Sequence, residues 1–226
     1  MLIEPELLTT GTQLVTSLLS AGALFVATIS APWRAWLTDR ERQWVWLGSA
    51  ALLVVVWSMK AGLTPGLSVR FLMITAFTLM HGWQLAVLGA TLVLAVLCFS
   101  GQAAWGSFGA DLLCMAVVPA LFAAWFHELV HSRLVHNYFI YFFVTVFLGS
   151  ALAFNLAGLA RLGILVAGGT FDAAHVGDEY FAILPFMSFG EGVANGMVMA
   201  MAVVYRPRWV MSFDDRLYLA RKGTGD

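Results

Sequence analysis

Hydrophobic residues form six stretches that are long enough to cross a lipid bilayer, and polar residues are concentrated in the segments between them. The stretches lie near residues 8–30, 44–63, 69–99, 107–126, 138–160 and 181–205. Lipid offers no hydrogen-bond partner to an exposed backbone group, so continuous apolar runs of this length are typical of helices. The pattern predicts an all-α protein, a polytopic bundle of transmembrane helices.

The third stretch, 69–99, is too long for one helix that crosses the membrane once. Polar residues in MHGWQ at 80–84 interrupt it, and we expect a break there between two short helices near 70–82 and 84–99. His81 lies at this break, where it is either an interfacial histidine or a polar group beside the ends of two half-helices. The break raises the predicted number of helices to about seven.

Basic residues indicate how the chain is oriented, because short segments rich in Lys and Arg usually face the cytoplasm. They are concentrated in the first connection and in the tail: Arg34, Arg40, Arg42, Arg206, Arg208, Arg216, Arg221 and Lys222. We therefore expect the N-terminus outside, the C-terminus in the cytoplasm and an odd number of crossings. Residues 1–226 would form one integral membrane domain, with 206–226 as its cytoplasmic juxtamembrane tail.

Composition supports the same class of protein. Hydrophobic residues make up 61% of the 226 and charged residues only 11%, whereas a soluble domain carries about 25% charged residues. The formal net charge of −1 gives no indication of nucleic-acid binding. The lipid bilayer is therefore the first partner that the sequence predicts.

Glu191 is an acidic residue near the middle of the last apolar stretch, where an unpaired charge is costly. Helical spacing places it on one face with an amide and two thioethers: Asn195, Met187 and Met199. This face would line an ion path if it borders a cavity. Alternatively, Glu191 and Asn195 form a buried hydrogen-bonded pair that fixes how the helix packs.

A second face of the same stretch carries small residues at every fourth position: Ser188, Gly192, Gly196 and Ala200. Small side chains let two transmembrane helices approach closely, and Gly192 with Gly196 forms a GxxxG pair. We expect this small-residue face to pack against another helix.

The stretch near 107–126 places an acidic residue and a thioether, Asp111 and Met115, on one helical face. Oxygen and sulfur atoms of this kind could contribute ligands to an ion path. Asp111 follows a short loop and Gly109, however, so taken alone it is more simply a solvated residue or a helix cap.

The segment HELVH at 127–131 matches the H-E-x-x-H pattern of zinc hydrolases. On a helix, His127 and His131 would lie one turn apart and could bind zinc, with Glu128 as the general base. A catalytic zinc needs a third protein ligand, and His136 lies five residues further on, off the same face. The alternative is a cytoplasmic helix end at which these side chains meet water.

Several stretches resemble a known family, the permease components of energy-coupling-factor ABC transporters for cobalt and nickel. The resembling stretches are 61–90, 106–119, 134–153 and 189–219, and the last is the most specific, through Glu191, Asn195, Gly196, Met197, Pro207 and Trp209. The resemblance implies a bacterial inner-membrane protein with seven spans and an N-terminus that takes part in metal binding. It also implies a separate coupling membrane subunit and separate ATPase subunits.

Three positions depart from the metal-binding pattern of that family. The family opens Met-His-Ile, and a second histidine begins a stretch similar to H-L-L-G, whereas this chain has Leu2 and Arg70 at those places. The family asparagine in G-x-N corresponds to Asp111. Arginine stays protonated and cannot be a neutral nitrogen ligand, although Arg70 could pair with a carboxylate in a site for a different ligand. A rebuilt ion site would use other side chains: Asp111, Met115, Glu191 and Asn195.

These observations favour a membrane permease, the substrate-binding component of a transport system, and not an enzyme. The resemblance implies a divalent transition-metal ion such as cobalt or nickel as the cargo, with Glu191 and Asp111 as candidate ligands, and the sequence leaves open whether any cofactor is bound. The first alternative is a non-transporting accessory subunit of a larger membrane complex, and the second is an intramembrane zinc hydrolase that uses HELVH. A polar cavity lined by Glu191 and Asp111 would favour transport, whereas paired and packed groups would favour the accessory subunit.

Overall fold

The computed structural model describes residues 2–59, 61–64, 67–169, 173–213 and 218, with the backbone alone at 61–64, 67–69 and 173–183. Helices make up most of this part of the chain: α1 (Thr10–Ser30), α2 (Trp33–Thr38), α3 (Arg40–Ser58), α4 (Ile74–His81), α5 (Trp83–Phe99), α6 (Trp105–Arg133), α7 (Tyr138–Ala167) and α8 (Ala173–Tyr205). Two short strands, β1 (Ala61–Thr64) and β2 (Leu67–Val69), pair antiparallel between α3 and α4.

Seven of these helices form the bundle, and α2 is a short connection of 6 residues. Within the described residues, α1, α6, α7 and the Leu184–Tyr205 part of α8 are long and apolar enough to cross a membrane. α5 is a shorter apolar helix of 17 residues that follows directly on the 8 residues of α4. The predicted polytopic helical bundle is confirmed, with one small hairpin added to it.

The predicted break in the third apolar stretch is confirmed at Gly82. α4 ends at His81 and α5 begins at Trp83, and the glycine between them has a φ of +85°, a conformation that side chains disfavour. His81 itself is buried, and its Nε2 lies 3.2 Å from the hydroxyl of Ser49. His81 therefore contacts α3 at the break, and its place at the membrane interface stays a prediction.

Local capping explains why α3 begins earlier than the apolar pattern suggests. The carboxylate of Asp39 accepts hydrogen bonds from the backbone N–H groups of Glu41 and Arg42, so the helix starts at Arg40 and not near residue 44. The same helix ends at Ser58, whereas the apolar run continues to residue 63. The end of the run belongs to β1 instead. The pattern could not show this, because an apolar run alone does not distinguish a helix from a short strand.

The core lies around α4 and α5. Every residue of α4 is buried, and α5 buries residues such as Ala86, Val87 and Leu94 completely. α1 instead exposes Leu18, Phe25 and many of its other large apolar side chains. Exposure of this kind is expected for a helix that faces lipid, and burial on all sides places α4 at the centre of the bundle.

Gly109 allows α6 to lie directly against α1, and its replacement by alanine is expected to destabilise the protein. A Cβ atom there would lie 2.6 Å from the backbone of Ser17, and the Gly109 carbonyl accepts a 2.6 Å hydrogen bond from Ser20. Overpacking against backbone typically lowers the free energy of unfolding by about 1 to 3 kcal/mol. Thermal unfolding in detergent would measure the loss.

Gly22→Ala is the matched control, because Gly22 lies on α1 with no heavy atom within 4 Å of its added Cβ. Alanine favours helix over glycine by up to about 1 kcal/mol, so this variant should be as stable as the wild type or more stable. Equal stability of the Gly109→Ala protein and the wild type would contradict the prediction, because it would show that α1 and α6 can move apart to admit a methyl group at no cost in free energy.

Candidate functional site

The N-terminal segment enters the bundle and is held there by a buried carboxylate. The backbone N–H of Ile3 donates to Asp111 Oδ1 at 2.8 Å, and the Ile3 side chain is buried beside Leu165. The carbonyl of Leu2 accepts from Arg161 Nη2 at 3.3 Å. Leu2 and Ile3 are therefore packed into the core at this end of the bundle, which we call the N-terminal end.

Asp111 is fully buried, and the interpretation of it as a solvated or capping residue is wrong. Its second oxygen accepts a 2.9 Å hydrogen bond from the hydroxyl of Ser107, and neither oxygen accepts from a backbone N–H group of its own helix. An ionised carboxylate has about four acceptor positions, of which the described partners occupy two. Asp111 therefore retains acceptor capacity for a further ligand.

Two buried arginines lie within electrostatic range of Asp111. Arg70 and Arg161 are exposed by only 3% and 4%, and the charges of both interact with that carboxylate. Arg70 donates to the carbonyl of Trp57, while its Nε and the Nε and Nη1 of Arg161 have no hydrogen-bond partner in the described part of the protein. The N-terminal end therefore carries excess positive charge and unused donors.

Glu191 is completely packed and has well-defined partners. Its Oε2 accepts from the backbone N–H of Leu72 at 2.8 Å, and its Oε1 accepts from Met73 N–H at 2.6 Å. Asn195 donates to the same Oε1 at 2.8 Å and accepts from the backbone N–H of Ala76 at 2.8 Å. The pair that the sequence offered as an alternative to an ion path, Glu191 with Asn195, is therefore present as a hydrogen-bonded unit.

This unit holds the start of α4. Met73, the residue before the helix, has a φ of +53°, and the helix has no side-chain cap of its own. The Asn195 amide oxygen accepts from the N–H of Ala76 in the first turn, and the Glu191 carboxylate accepts from the two N–H groups just before the helix, where a negative charge is favourable. Glu191 thereby fixes the backbone that leads from Arg70 into α4.

The other candidate residues are distributed over several places. Met115 and Met187 belong to the main core cluster, whereas Met199 belongs to a second cluster with Tyr141 and Phe213. Asp111 and Glu191 share no hydrogen-bond partner. Neither carboxylate lines the 40 Å³ cavity beside Trp36 or the 860 Å³ groove between α3 and α8.

The small-residue face of α8 lies against α7. A Cβ atom on Gly192 would lie 3.0 Å from Phe147, and one on Gly196 would lie 3.5 Å from Phe142. The hydroxyl of Ser188 donates to the carbonyl of Pro185, and Ala200 is half-buried. Small side chains at these positions allow the aromatic rings of α7 to approach the α8 backbone.

HELVH occupies the last turns of α6, with Glu128 exposed and both histidines half-buried. The rings of His127 and His131 lie 5.9 Å apart, and His136 folds back to within 3.2 Å of His131. Among the described residues, no group of three or more His, Cys, Asp or Glu side chains could hold a metal ion. A third ligand for a zinc hydrolase site is therefore not found in the described part.

Sequence reasoning missed three contributors to these sites. Arg161 directly follows the apolar stretch 138–160 and is followed by further apolar residues at 162–167, so the signal that identified Glu191, a charge among apolar neighbours, could have identified it too. The backbone N–H of Ile3 and the return of His136 leave no signal in the pattern, because each depends on how distant segments meet.

Comparison with known proteins identifies the family. Residues 3–209 match the family described as CbiM, cobalt uptake substrate-specific transmembrane region. No curated protein matches the chain in sequence. A crystal structure of a truncated transition metal transporter is 17% identical, with a TM-score of 0.75 over 91% of this chain and 99% of that one. A second transition metal transporter structure is 18% identical, with a TM-score of 0.72 over 88% and 91% of the two chains.

At these identities the two structures establish a shared fold, and the family match establishes membership, because it spans nearly all of the chain from Ile3 to Trp209. The resemblance inferred from the sequence is thereby confirmed, and with it a multi-pass membrane protein of a transport family. This chain belongs to the family of cobalt uptake substrate-specific transmembrane regions.

Proposed function

We propose that this protein is the substrate-specific membrane component of an uptake system for a divalent transition-metal ion, cobalt or nickel being the cargo that its family indicates. The observation that carries the proposal is the buried carboxylate of Asp111, which holds the N-terminal segment inside the bundle. A fully buried acidic group with unused acceptor positions is uncommon unless it meets a cation. The N-terminal end is therefore the proposed ion site.

The donors at this end suit a divalent ion only in part. Asp111 supplies oxygen, and Met115, one helical turn away, supplies a fully buried thioether. Arg70 and Arg161 oppose a second positive charge nearby, so we expect weaker ion binding than at a site with two imidazoles. Glu191 contributes by positioning the backbone next to Arg70, since three hydrogen-bond donors already occupy its oxygens.

Transport would require partners. By analogy with the family, we propose a coupling membrane subunit and ATPase subunits in a bacterial inner membrane, with the N-terminal end of the bundle outside. The segment after α8 supplies Arg206 and Arg208 for contact with a partner or with anionic lipid. Enzymatic activity is not part of this proposal, because Glu128 is exposed and no third zinc ligand accompanies the HELVH histidines among the described residues.

Asp111→Asn tests the ion site directly. Asparagine retains an acceptor for the Ile3 N–H but removes the negative charge, so the N-terminal segment should stay in place while ion affinity falls. We expect the affinity for Ni²⁺ or Co²⁺ at this site, measured by titration calorimetry on the detergent-purified chain, to fall by at least about tenfold, or 1.4 kcal/mol.

Glu41→Gln provides the control, because this carboxylate lies in the groove between α3 and α8 and not at the N-terminal end. Its affinity for the ion should match that of the wild type. Binding by the Asp111→Asn protein that is as tight as binding by the wild type would remove Asp111 from the site.

One observation favours a second candidate function, a non-transporting accessory subunit. Glu191 and Asn195 are paired off in a packed core, as expected for groups that serve helix packing alone. On that alternative the wild-type chain binds no transition-metal ion at Asp111, and purification with a partner complex is independent of metal.

A further inference from the structure

Three of the five histidines of the chain lie together at the end of α6 and in the turn that follows it: His127, His131 and His136. Their spacing places His136 off the helical face of the other two. The turn brings His136 back towards His131. The last hydrogen bond of α6 runs from Leu134 N–H to the carbonyl of Val130, and Asn137 caps the start of the next helix. As a result His136 Nε2 lies 3.2 Å from His131 Nδ1.

The separation of these two nitrogens matches that of two ligands on one metal ion. Metal–nitrogen bonds of about 2.1 Å at angles between square and tetrahedral place two imidazole nitrogens about 3 to 3.4 Å apart. Two neutral imidazoles in contact share one hydrogen bond, whereas a divalent ion between them uses both lone pairs. The pair is therefore arranged for a cation without a change in the backbone.

The surroundings also suit a cation that exchanges with water. His136 is exposed and His131 half-buried, and both lie at the C-terminal end of α6, where the helix dipole is negative. The hydroxyl of Tyr218 lies 3.2 Å from the same His131 nitrogen. A phenol hydroxyl can both donate and accept a hydrogen bond, so Tyr218 can hold a metal-bound water beside His131.

The histidine pair lies at the opposite end of α6 from Asp111, and this separation indicates what the pair does. Asp111 and His131 lie on the same helix, twenty residues and roughly 30 Å apart, which is about the thickness of the hydrocarbon core. One end of the helix therefore carries the proposed ion site, and the other carries the histidine pair on the opposite side of the membrane.

We propose that His131 and His136, completed by water held at Tyr218, form a second binding site for a divalent transition-metal ion, on the side where a transported ion would leave the protein. Binding at this site stands on the histidine geometry alone, whereas its role as an acceptor for the released ion rests on the proposed function. Imidazole ligands favour Ni²⁺, Co²⁺ and Zn²⁺ over Mg²⁺ and Ca²⁺, so the second site is selective for the class of ion that the family transports.

Titration of the full chain with Co²⁺ tests the inference, because cobalt reports imidazole ligands by its visible absorption. In the Asp111→Asn protein, which weakens the other site, we expect one remaining Co²⁺ site with a histidine-type spectrum. Adding His136→Ala to that variant should weaken the remaining site at least tenfold, and His131→Ala should do the same. His136 is exposed, so its replacement leaves the fold unchanged.

Ser132→Ala, which changes an exposed residue next to His131 whose hydroxyl bonds only to the Leu129 carbonyl, serves as the control and should retain the spectrum. Unchanged affinity and spectrum in the His136→Ala variant would overturn the second site. The two proposals fail separately. If His136→Ala alone loses Co²⁺ binding, the histidine pair is supported even if Asp111→Asn has no effect. If Asp111→Asn lowers the affinity and His136→Ala does not, only the N-terminal site remains.

Discussion

Replacing Glu191 by leucine is expected to produce a large loss of stability. The change leaves two buried donors without an acceptor, the backbone N–H groups of Leu72 and Met73, and removes one of the two acceptors of the Asn195 amide, which keeps the backbone carbonyl of residue 191. Each unpartnered buried donor costs about 1 to 3 kcal/mol and neighbouring losses do not add fully, so the free energy of unfolding should fall by about 3 to 5 kcal/mol. Thermal or denaturant unfolding in detergent would measure it.

Two further variants define the cause of that loss. Glu191→Gln keeps one acceptor oxygen at the start of α4 and should show an intermediate loss of stability. Glu128→Gln makes the same chemical change at an exposed glutamate on α6 and should stay within about 0.5 kcal/mol of the wild type. If Glu191→Leu were as stable as Glu128→Gln, the hydrogen bonds to α4 would not be what holds these helices together.

Restoring the histidines of the family should strengthen ion binding markedly. Leu2 packs against the core cluster that contains Leu72 and Met115, and Arg70 is buried two residues before Leu72 in the chain. The double variant Leu2→His with Arg70→His therefore adds two imidazoles near Asp111 and removes one positive charge. We expect Ni²⁺ affinity to rise by at least about tenfold, or 1.4 kcal/mol, in a calorimetric titration.

Arg34→His is the matched control, since it makes the same substitution at an exposed residue of α2. It should leave Ni²⁺ affinity at the N-terminal end unchanged. A folded double variant that binds Ni²⁺ no more tightly than the wild type would show that Leu2 and Arg70 do not adjoin the ion site.

The sequence was sufficient for the helices but not for their contacts. Hydrophobic runs of bilayer length predicted the bundle, and the polar break at 80–84 predicted the two short helices, because both are local consequences of backbone hydrogen bonding and glycine geometry. The end of α3 was misplaced, since the short and mainly apolar segment 59–63 suits a helix or a strand equally well. The orientation of the termini stays a prediction from the basic residues.

The partners of the candidate residues could not be predicted, because they come from remote parts of the chain. Glu191 was recognised as a buried acidic residue, but its acceptors serve backbone groups 118 and 119 residues away. Asp111 likewise binds a backbone N–H that lies 108 residues away. Periodicity shows which residues share a face of one helix, whereas these contacts depend on which helices become neighbours.

The location of a bound ion is the most direct test of the proposed function. Anomalous diffraction at the cobalt edge, from crystals of the full chain grown with Co²⁺, would place the ion without reference to activity. We expect a peak at about 2.1 Å from a carboxylate oxygen of Asp111, the usual length of a metal–oxygen bond. A cobalt-containing crystal with no peak in contact with Asp111 would contradict the proposal that the N-terminal end holds the transported ion.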